Sequence, residues 1–220
     1  MELFKNSKIN NEIDAYLFGL IYADGYITGK RYDRYYTLGI TFSSKDEIHL
    51  HEINKHLHGN ISNSIVFLKE TKKNYKTTRL IKCSIDLVNT LIELGISPNK
   101  THTHTKVWEN VDSKLYNHFI RGFFDGDGTI CMGKGDKKYR CGFVGKNEYL
   151  FEWLSITLSH NLNKNINYKL DKSSNCFRIQ LSGNPSCKNF GTFLYKESTL
   201  FLKRKKDLFD SIPVKTKINF

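Results

Sequence analysis

The chain has 220 residues and contains two copies of one pattern, and this duplication constrains its fold more than any other feature. The copies are Ala15–Gly25 (AYLFGLIYADG) and Phe119–Gly128 (FIRGFFDGDG). Each is typical of a buried helix that ends in an Asp followed by a helix-breaking Gly. The pattern therefore predicts two equivalent helices that carry Asp24 and Asp127 at equivalent positions.

Each copy also carries a glycine in the middle of its predicted helix, Gly19 and Gly122, and another small residue four positions later, Ala23 and Gly126. A mid-helix glycine costs about 1 kcal/mol relative to alanine, so two at matching positions need a reason. Residues four apart share a helix face, and a face of small residues lets two backbones approach closely. We therefore expect the two helices to pack on each other and to bring the two acids side by side.

Composition indicates the class of protein and of partner. Hydrophobic residues make up 39% of the chain, which is enough to bury the core of one domain or of two small ones. The formal net charge of +12 favours a polyanionic partner such as nucleic acid over a basic surface that serves solubility alone. The five cysteines are odd in number and form no C-x-x-C pair, which indicates free thiols in a reducing, intracellular compartment.

Neither a secretory leader nor a membrane span is expected. The first residues (MELFKNSKINNE) are polar and lack an apolar segment. The longest apolar runs are the two motif helices, which contain Asp and Gly and fall short of about 18 uninterrupted apolar residues. We therefore expect a soluble globular protein.

The segments that follow each motif predict a duplicated unit of order α-β-β-α-β-β-α, in residues 1–108 and 109–220. The segment TFSSKDE (Thr41–Glu47) aligns with GFVGKNE (Gly142–Glu148) at the same place in both copies. In the second copy we expect strands at Asn165–Lys172 and Cys176–Ser182 and a terminal helix around Asn189–Phe209. The fold class is therefore α+β, with helices packed behind two antiparallel sheets, and the other face of each sheet is left for solvent or a ligand.

That uncovered face collects polar and basic side chains. A two-stranded β-ribbon enters the major groove of DNA, where Arg, Lys, Asn and Gln contact base edges. An ordinary solvated sheet face is the alternative for any single residue. The predicted nucleic-acid contacts are Thr28, Lys30, Thr37, Thr41, Thr78 and Lys82 in the first copy and Arg140, Asn167, Lys169, Arg178 and Gln180 in the second.

The two acids suggest a metal site. Two carboxylates at the ends of adjacent helices would repel each other unless a cation lay between them. Mg²⁺ is usually held by one or two carboxylates together with water and substrate phosphates. A site with so few protein ligands beside a basic sheet favours phosphodiester hydrolysis, in which metal ions activate water and stabilise the leaving oxygen. For one Asp-Gly motif alone, a structural helix-terminal turn would be the better interpretation.

The pair LFGLIYADG (Leu17–Gly25) and IRGFFDGDG (Ile120–Gly128) resembles the two signature motifs of monomeric LAGLIDADG homing endonucleases. Tyr22 stands where the first Asp of that motif usually lies, whereas its counterpart Asp125 is present. The resemblance covers nearly the whole chain.

The resemblance implies a monomer whose motif helices join pseudo-symmetric halves and whose two sheets form a saddle on double-stranded DNA with a long, asymmetric target. It implies two or three Mg²⁺ or Mn²⁺ ions shared between the motif acids, which cleave both strands. The residues that match its metal ligands are Asp24, Ala23, Asp127 and Gly126. Lys100 and Lys205 match positions that stabilise charge on the scissile phosphates, with ordinary phosphate contacts as the alternative.

A chain with these features has alternative functions. An RNA-splicing maturase, with its own intron RNA as partner, and a DNA-binding regulator are the alternatives on the same fold. Retention of both acids favours the nuclease, because binding alone does not require them. An intein is disfavoured because the chain lacks the terminal residues of self-splicing. A zinc site is also disfavoured, since histidines two apart on a helix point to different sides; those concerned are His49, His51, His56 and His58, with His102 and His104 in a connector.

Overall fold

A computed structural model describes residues 3–4, 8–31, 34–68, 71–98 and 105–213 of the chain. In this part, seven α-helices and two four-stranded antiparallel sheets alternate in two halves. The first half consists of α1 (Glu12–Asp24), β1 (Gly25–Arg31), β2 (Arg34–Ser43), α2 (Glu47–Leu57), β3 (Asn60–Leu68), β4 (Lys73–Cys83) and α3 (Ile85–Glu93). The second half consists of α4 (Tyr116–Asp127), β5 (Thr129–Met132), β6 (Tyr139–Gly145), α5 (Glu148–Asn161), β7 (Lys169–Asp171), β8 (Cys176–Ser182), α6 (Asn184–Tyr195) and α7 (Lys203–Asp210).

The two sheets have the same topology, and this confirms the predicted α+β class with its duplicated order. The strand order is β1-β2-β4-β3 in the first sheet and β5-β6-β8-β7 in the second. Each sheet buries one face, which we call its inner face, through alternate residues such as Leu38 and Ile40 in β2 and Cys141 and Phe143 in β6. Within the described residues, no helix has the length and apolarity that a bilayer crossing requires.

The first motif helix, α1, is apolar on nearly all sides and is buried accordingly. Asn11 caps its start by accepting a hydrogen bond from the main-chain N–H of Asp14 at 2.9 Å. Every residue from Asp14 to Tyr22 is buried. A helix that is apolar all round belongs in the interior of a protein, and α1 lies there against α4.

The predicted terminal helix Asn189–Phe209 is wrong, because the chain forms two helices, α6 and α7, with a break at 196–202. Buried side chains of α4 bind the main chain of this break. Arg121 Nε donates to the carbonyl of Leu200 at 3.0 Å, and the N–H of Leu202 donates to Asp125 Oδ2 at 2.8 Å. These tertiary bonds use main-chain groups that a continuous helix would need for itself.

The predicted strand Asn165–Lys172 is also shorter in the structure, where β7 comprises only Lys169–Asp171. Serine side chains of α5 explain the difference. Ser159 Oγ accepts from the N–H of Ile166 at 2.9 Å and lies 3.3 Å from its carbonyl oxygen. The main chain of Ile166 therefore binds a helix instead of a neighbouring strand.

Candidate metal centre and nucleic-acid interface

The two mid-helix glycines lie where α1 and α4 cross. A Cβ atom on Gly19 would overlap the carbonyl oxygen of Phe119, and it would lie 2.9 Å from the main-chain nitrogen of Phe123. A Cβ atom on Gly122 would overlap the carbonyl oxygen of Tyr16 in the same way. Real Cβ atoms do not approach main-chain atoms so closely, so the absence of side chains permits this contact.

The contact continues to the ends of the two helices, where the motif acids lie. A Cβ atom on Gly126 would overlap the Cβ of Ala23 and would lie 3.2 Å from Asp24 Oδ2. The carboxylate of Asp24 therefore lies against the residue that precedes Asp127. Asp24 is half-buried and Asp127 is exposed, so this junction is open to solvent on the side of Asp127.

Asp127 lines an open cleft between the helix ends and the second sheet. The other residues of this cleft include Tyr22, Gly145, Lys146 and Asn147. Asn147 Nδ2 donates to the hydroxyl of Tyr22 at 3.1 Å. Burial raises the pKa of that hydroxyl, and the negative charge of Asp127 raises it further. Tyr22, which replaces the usual Asp of the motif, thus fixes the start of α5 beside Asp127.

Its counterpart Asp125 has a different environment. Its Oδ2 accepts hydrogen bonds from the Tyr16 hydroxyl at 2.9 Å and from the N–H of Leu202 at 2.8 Å. The same hydroxyl lies 2.7 Å from His49 Nε2 of α2. Burial raises the pKa of Asp125 to about 6 and lowers the pKa of His49 to about 4. These contacts join the two halves, and the two motifs are not equivalent at this position.

Two ion pairs add to the connection between the halves. Arg121 of α4 is fully buried, and its guanidinium forms an ion pair with Glu12 of α1. Arg204 of α7 donates through Nε to both carboxylate oxygens of Asp46, at 2.8 and 3.0 Å. No local sequence pattern indicates these pairs, because each joins residues that are distant along the chain.

The sequence predicts that Lys205 stabilises charge on the scissile phosphates, and in the structure its ammonium binds main-chain carbonyls. The residue is 3% exposed. Its Nζ donates to the carbonyl oxygens of Phe124 at 2.6 Å, Asp125 at 2.9 Å and Gly128 at 2.6 Å, and it lies 3.4 Å from that of Gly126. An ammonium has three donors, and these carbonyls take all of them. The ammonium therefore has no donor left for a direct bond to a phosphate.

Charges around Lys205 also indicate where the motif acids lie. Burial lowers its pKa to about 8, whereas the carboxylates of Asp125, Asp24 and Asp127 act in the opposite direction. Asp24 and Asp127 therefore both lie within electrostatic range of a single ammonium. Asp24 Oδ2 lies beside Gly126, the residue before Asp127, so the two acids are neighbours at the ends of the packed helices.

The donor set at this centre suits a hard divalent cation. The predicted donors are the carboxylates of Asp24 and Asp127 and the main-chain carbonyls of Ala23 and Gly126, and oxygen atoms are the ligands that Mg²⁺ and Mn²⁺ prefer. In the described part of the chain, no group of three or more His, Cys, Asp and Glu residues could hold a metal ion by itself. An ion here would need oxygen ligands from water or from a bound phosphate as well.

The outer face of the second sheet, opposite to its buried face, carries most of the contact residues that were predicted in the second copy. Lys169 pairs with Arg178, and Arg140 pairs with Ser182, so their side chains share this face. Gln180 lies on it as well and is exposed, as are Lys169 and Arg178. Asn167 is exposed in the segment that precedes β7. The exposed donors thus form one polar, basic surface.

In the first sheet, the outer face carries Thr28, which is exposed, and Thr41, which is half-buried. Arg79 pairs with Thr41 and is exposed on the same face. Sequence reasoning missed Arg79, although an exposed arginine within an alternating strand was the available signal. Lys30 belongs to β1, where its main chain pairs with Tyr35.

The prediction that Lys82 and Thr78 lie on the outer face is wrong. Lys82 pairs with Leu38 and Thr78 pairs with Phe42, so both lie on the inner face. Thr78 is fully buried, and Lys82 Nζ donates to the carbonyl of His58 at 3.2 Å. Alternation has a period of two, so an error of one residue in β4 transfers each side chain to the other face.

Thr37 lies on the outer face, but it is only 7% exposed, and its hydroxyl faces the sulfur of Cys83 at 3.7 Å. Its prediction as an exposed contact residue is therefore also wrong. Lys100, His102 and His104 lie outside the described residues. All five cysteines are free thiols, as the sequence predicted.

No protein-family model and no curated protein matches the chain. Solved structures do match. The homing endonuclease I-WcaI bound to its DNA recognition sequence has 16% identity and a TM-score of 0.65, over 90% of this chain and 87% of that one. I-DmoI in complex with DNA and Mn has 22% identity and a TM-score of 0.54, over 86% and 98%.

The N-terminal LAGLIDADG domain of DUF199/WhiA is similar as well, with 18% identity and a TM-score of 0.51 over 88% of this chain and 86% of that one. The LAGLIDADG homing endonuclease I-GzeII in complex with its DNA target has 13% identity and a TM-score of 0.57, over 91% and 88%. The matches extend across both halves and both sheets. This chain therefore has the fold of the single-chain LAGLIDADG homing endonucleases.

Proposed function

We propose that the protein is a site-specific endonuclease that cleaves both strands of double-stranded DNA with divalent metal ions. The observation that carries the proposal is the meeting of Asp24 and Asp127, one from each half, at the open ends of two packed helices. A purely structural helix end needs no second acid, and two carboxylates at one centre favour a cation between them.

Asp24 and Asp127 would hold the metal ions together with the main-chain carbonyls of Ala23 and Gly126, and two or three Mg²⁺ or Mn²⁺ ions are expected. When bound, such ions activate the attacking water and stabilise the leaving oxygen of a phosphodiester. The likeness to I-DmoI, which was crystallised with DNA and Mn, supports a divalent ion in this fold. The chain itself fixes the two carboxylates relative to each other, because α1 and α4 are in main-chain contact.

The outer faces of the two sheets would bind the DNA. Arg79, Arg140, Arg178 and Gln180 supply donors for base edges and phosphates, and the net charge of +12 supplies the non-specific attraction. We infer that residues 1–108 and 109–220 each recognise one half of a long, asymmetric target. The protein would act as a monomer, because one chain already provides both halves.

Nucleic-acid binding without cleavage is the second candidate, either as an RNA-splicing maturase that binds its own intron RNA or as a DNA-binding regulator. The likeness to the WhiA domain favours it, because the fold also occurs in a protein that is not named as an endonuclease. Binding alone does not explain why both acids are retained at one centre.

The test is a cleavage selection that requires no knowledge of the target. A randomised duplex library is incubated with the protein in Mg²⁺, in Mn²⁺ or in EDTA, and the newly formed ends are captured and sequenced. We expect one long consensus, cut on both strands, only when metal is present. Capture of no ends with either metal, from a protein that binds nucleic acid tightly, would contradict the endonuclease and support the second candidate.

A further inference from the structure

The C-terminal end of α4 lacks the usual means of satisfying its carbonyl groups. The last carbonyls of a helix have no partners within the helix, and a residue in left-handed conformation often provides them. Here the residue after the helix, Gly128, is extended, with φ −74° and ψ 153°. The N–H of Gly128 returns to the helix, with a bond to the carbonyl of Phe124 at 2.9 Å.

Lys205 takes the place of such a cap. Its three short bonds reach the carbonyls of Phe124, Asp125 and Gly128, and it lies 3.4 Å from the carbonyl of Gly126. These carbonyls lie on both sides of Asp127 in the chain. A cation at a helix C-terminus is also favoured by the helix dipole. The ammonium therefore fixes the path of the main chain through the residue that carries the second motif acid.

Lys205 is itself held in place by its neighbours. Its N–H donates to the carbonyl of Leu202 at 3.0 Å, and the N–H of Leu202 donates to the Asp125 carboxylate. Arg204, on the preceding position, binds Asp46 of the first half. The start of α7 thus binds the end of α4 at two points, through the Lys205 ammonium and through the N–H of Leu202. Arg204 joins the same part of α7 to the first half.

We propose that Lys205 is a positioning residue for the metal centre, which holds Asp127 at the orientation that a divalent ion requires and does not itself contact the scissile phosphate. This inference rests on the proposed endonuclease function. Replacing a residue that orients a metal ligand, without itself binding the metal, typically changes metal affinity by about 10–100-fold. A lysine that contacted the phosphate would instead alter the rate at every metal concentration.

The test compares Lys205→Met with Lys203→Met, which removes another cation of α7 whose ammonium is exposed and pairs with Asp207 within the same helix. Cleavage of the selected target is measured across a Mg²⁺ titration, and DNA affinity is measured in Ca²⁺. We expect Lys205→Met to need at least about tenfold more Mg²⁺ for half-maximal cleavage. Its maximal rate should largely return at high Mg²⁺, and its DNA affinity should be unchanged. Lys203→Met should keep the Mg²⁺ requirement of the original protein.

A lower maximal rate at an unchanged Mg²⁺ requirement would overturn the proposal and return Lys205 to a direct role. If Lys205→Met fails to fold, the unaltered protein supplies the measurement. Brief treatment with an amine-reactive reagent, followed by mass spectrometry, should modify exposed Lys146 and leave Lys205 unmodified. Equal modification of the two lysines would overturn it. If the original protein does not cleave DNA at all, that result contradicts the proposed endonuclease function. It is distinct from the results that contradict the role of Lys205.

Discussion

A side chain on Gly19 would overlap the main-chain carbonyl of Phe119, so the two motif helices are in contact through their backbones. The reciprocal relationship holds between Gly122 and Tyr16. Because α1 and α4 meet at this distance, the acids at their ends have little freedom to separate. The small residues at the helix crossing therefore limit how far apart Asp24 and Asp127 can lie.

Gly19→Ala and Gly122→Ala should each destabilise the protein, although alanine favours a helix by about 1 kcal/mol over glycine. Overpacking a close contact costs about 1–3 kcal/mol, and here the obstacle is main chain, which cannot rotate away. We expect each variant to lose about 2 kcal/mol or more in the free energy of unfolding, measured in urea.

Gly135→Ala is the matched control, because a Cβ atom at Gly135 would have no atom within 4 Å. It should leave stability within about 0.5 kcal/mol. Equal stability of Gly19→Ala and Gly135→Ala would show that the helices do not touch as described.

Arg121→Met should be strongly destabilising, by about 3–5 kcal/mol, because it removes the buried charge that pairs with Glu12 and the donors to the break after α6. Arg140→Met removes an exposed pair with Asp136 and should cost less than about 1 kcal/mol. Thermal unfolding of the two variants tests this. Similar losses in both would mean that the buried guanidinium does not join the halves.

Acid should destabilise the protein partly through His49, which is 6% exposed. Burial lowers its pKa from 6.5 to about 4, so between these values the unfolded chain binds a proton that the folded protein excludes. Its contribution is complete above pH 6.5 and is lost as the pH falls towards 4, with a total on the order of 3 kcal/mol.

We expect His49→Gln to have a flatter dependence of unfolding free energy on pH over this window. Asp125, whose pKa is raised to about 6, acts in the opposite direction between about 6 and 3.8. It is present in both proteins, so their difference isolates His49. Parallel curves for the two proteins, measured by urea unfolding from pH 7.5 to 4.5, would contradict the assignment of His49 as a buried neutral residue.

Arg79→Ala should weaken DNA binding by about 1–3 kcal/mol, with unchanged stability, because its exposed guanidinium lies on the outer face of the first sheet. Lys82→Ala is the matched control in the same strand, since Lys82 lies on the inner face. It should leave affinity for the selected target nearly unchanged. A larger loss of affinity for Lys82→Ala than for Arg79→Ala would contradict DNA binding to the outer face of this sheet.

The sequence predicted the features that depend on local patterns. The two helices ending at Asp24 and Asp127, the duplicated order and the basic outer face of the second sheet all follow from periodicity and spacing. In β8, apolar Ile179 and Leu181 alternate with Arg178 and Gln180, so the exposed face could be assigned.

Features that depend on distant contacts were missed. In β4 the alternation is weak, and the pairing of Thr78 with Phe42 decides which face is buried. The break after α6 depends on buried polar groups of α4, because Arg121 binds the main chain of Leu200. The bonds from Lys205 to carbonyls at the end of α4 also join distant parts of the chain. No local pattern carries such information.

The most direct test of the central claim is the cleavage of the selected target by Asp24→Asn and by Asp127→Asn, beside their affinity for it in Ca²⁺. Asn keeps the size of the side chain and removes the charge that a metal ion requires. We expect each substitution to reduce double-strand cleavage in Mg²⁺ by at least about a hundredfold while DNA affinity stays within about threefold, because base and phosphate contacts lie on the sheets. Full cleavage by either variant, or an equal loss of cleavage and binding, would contradict a metal centre shared by the two acids.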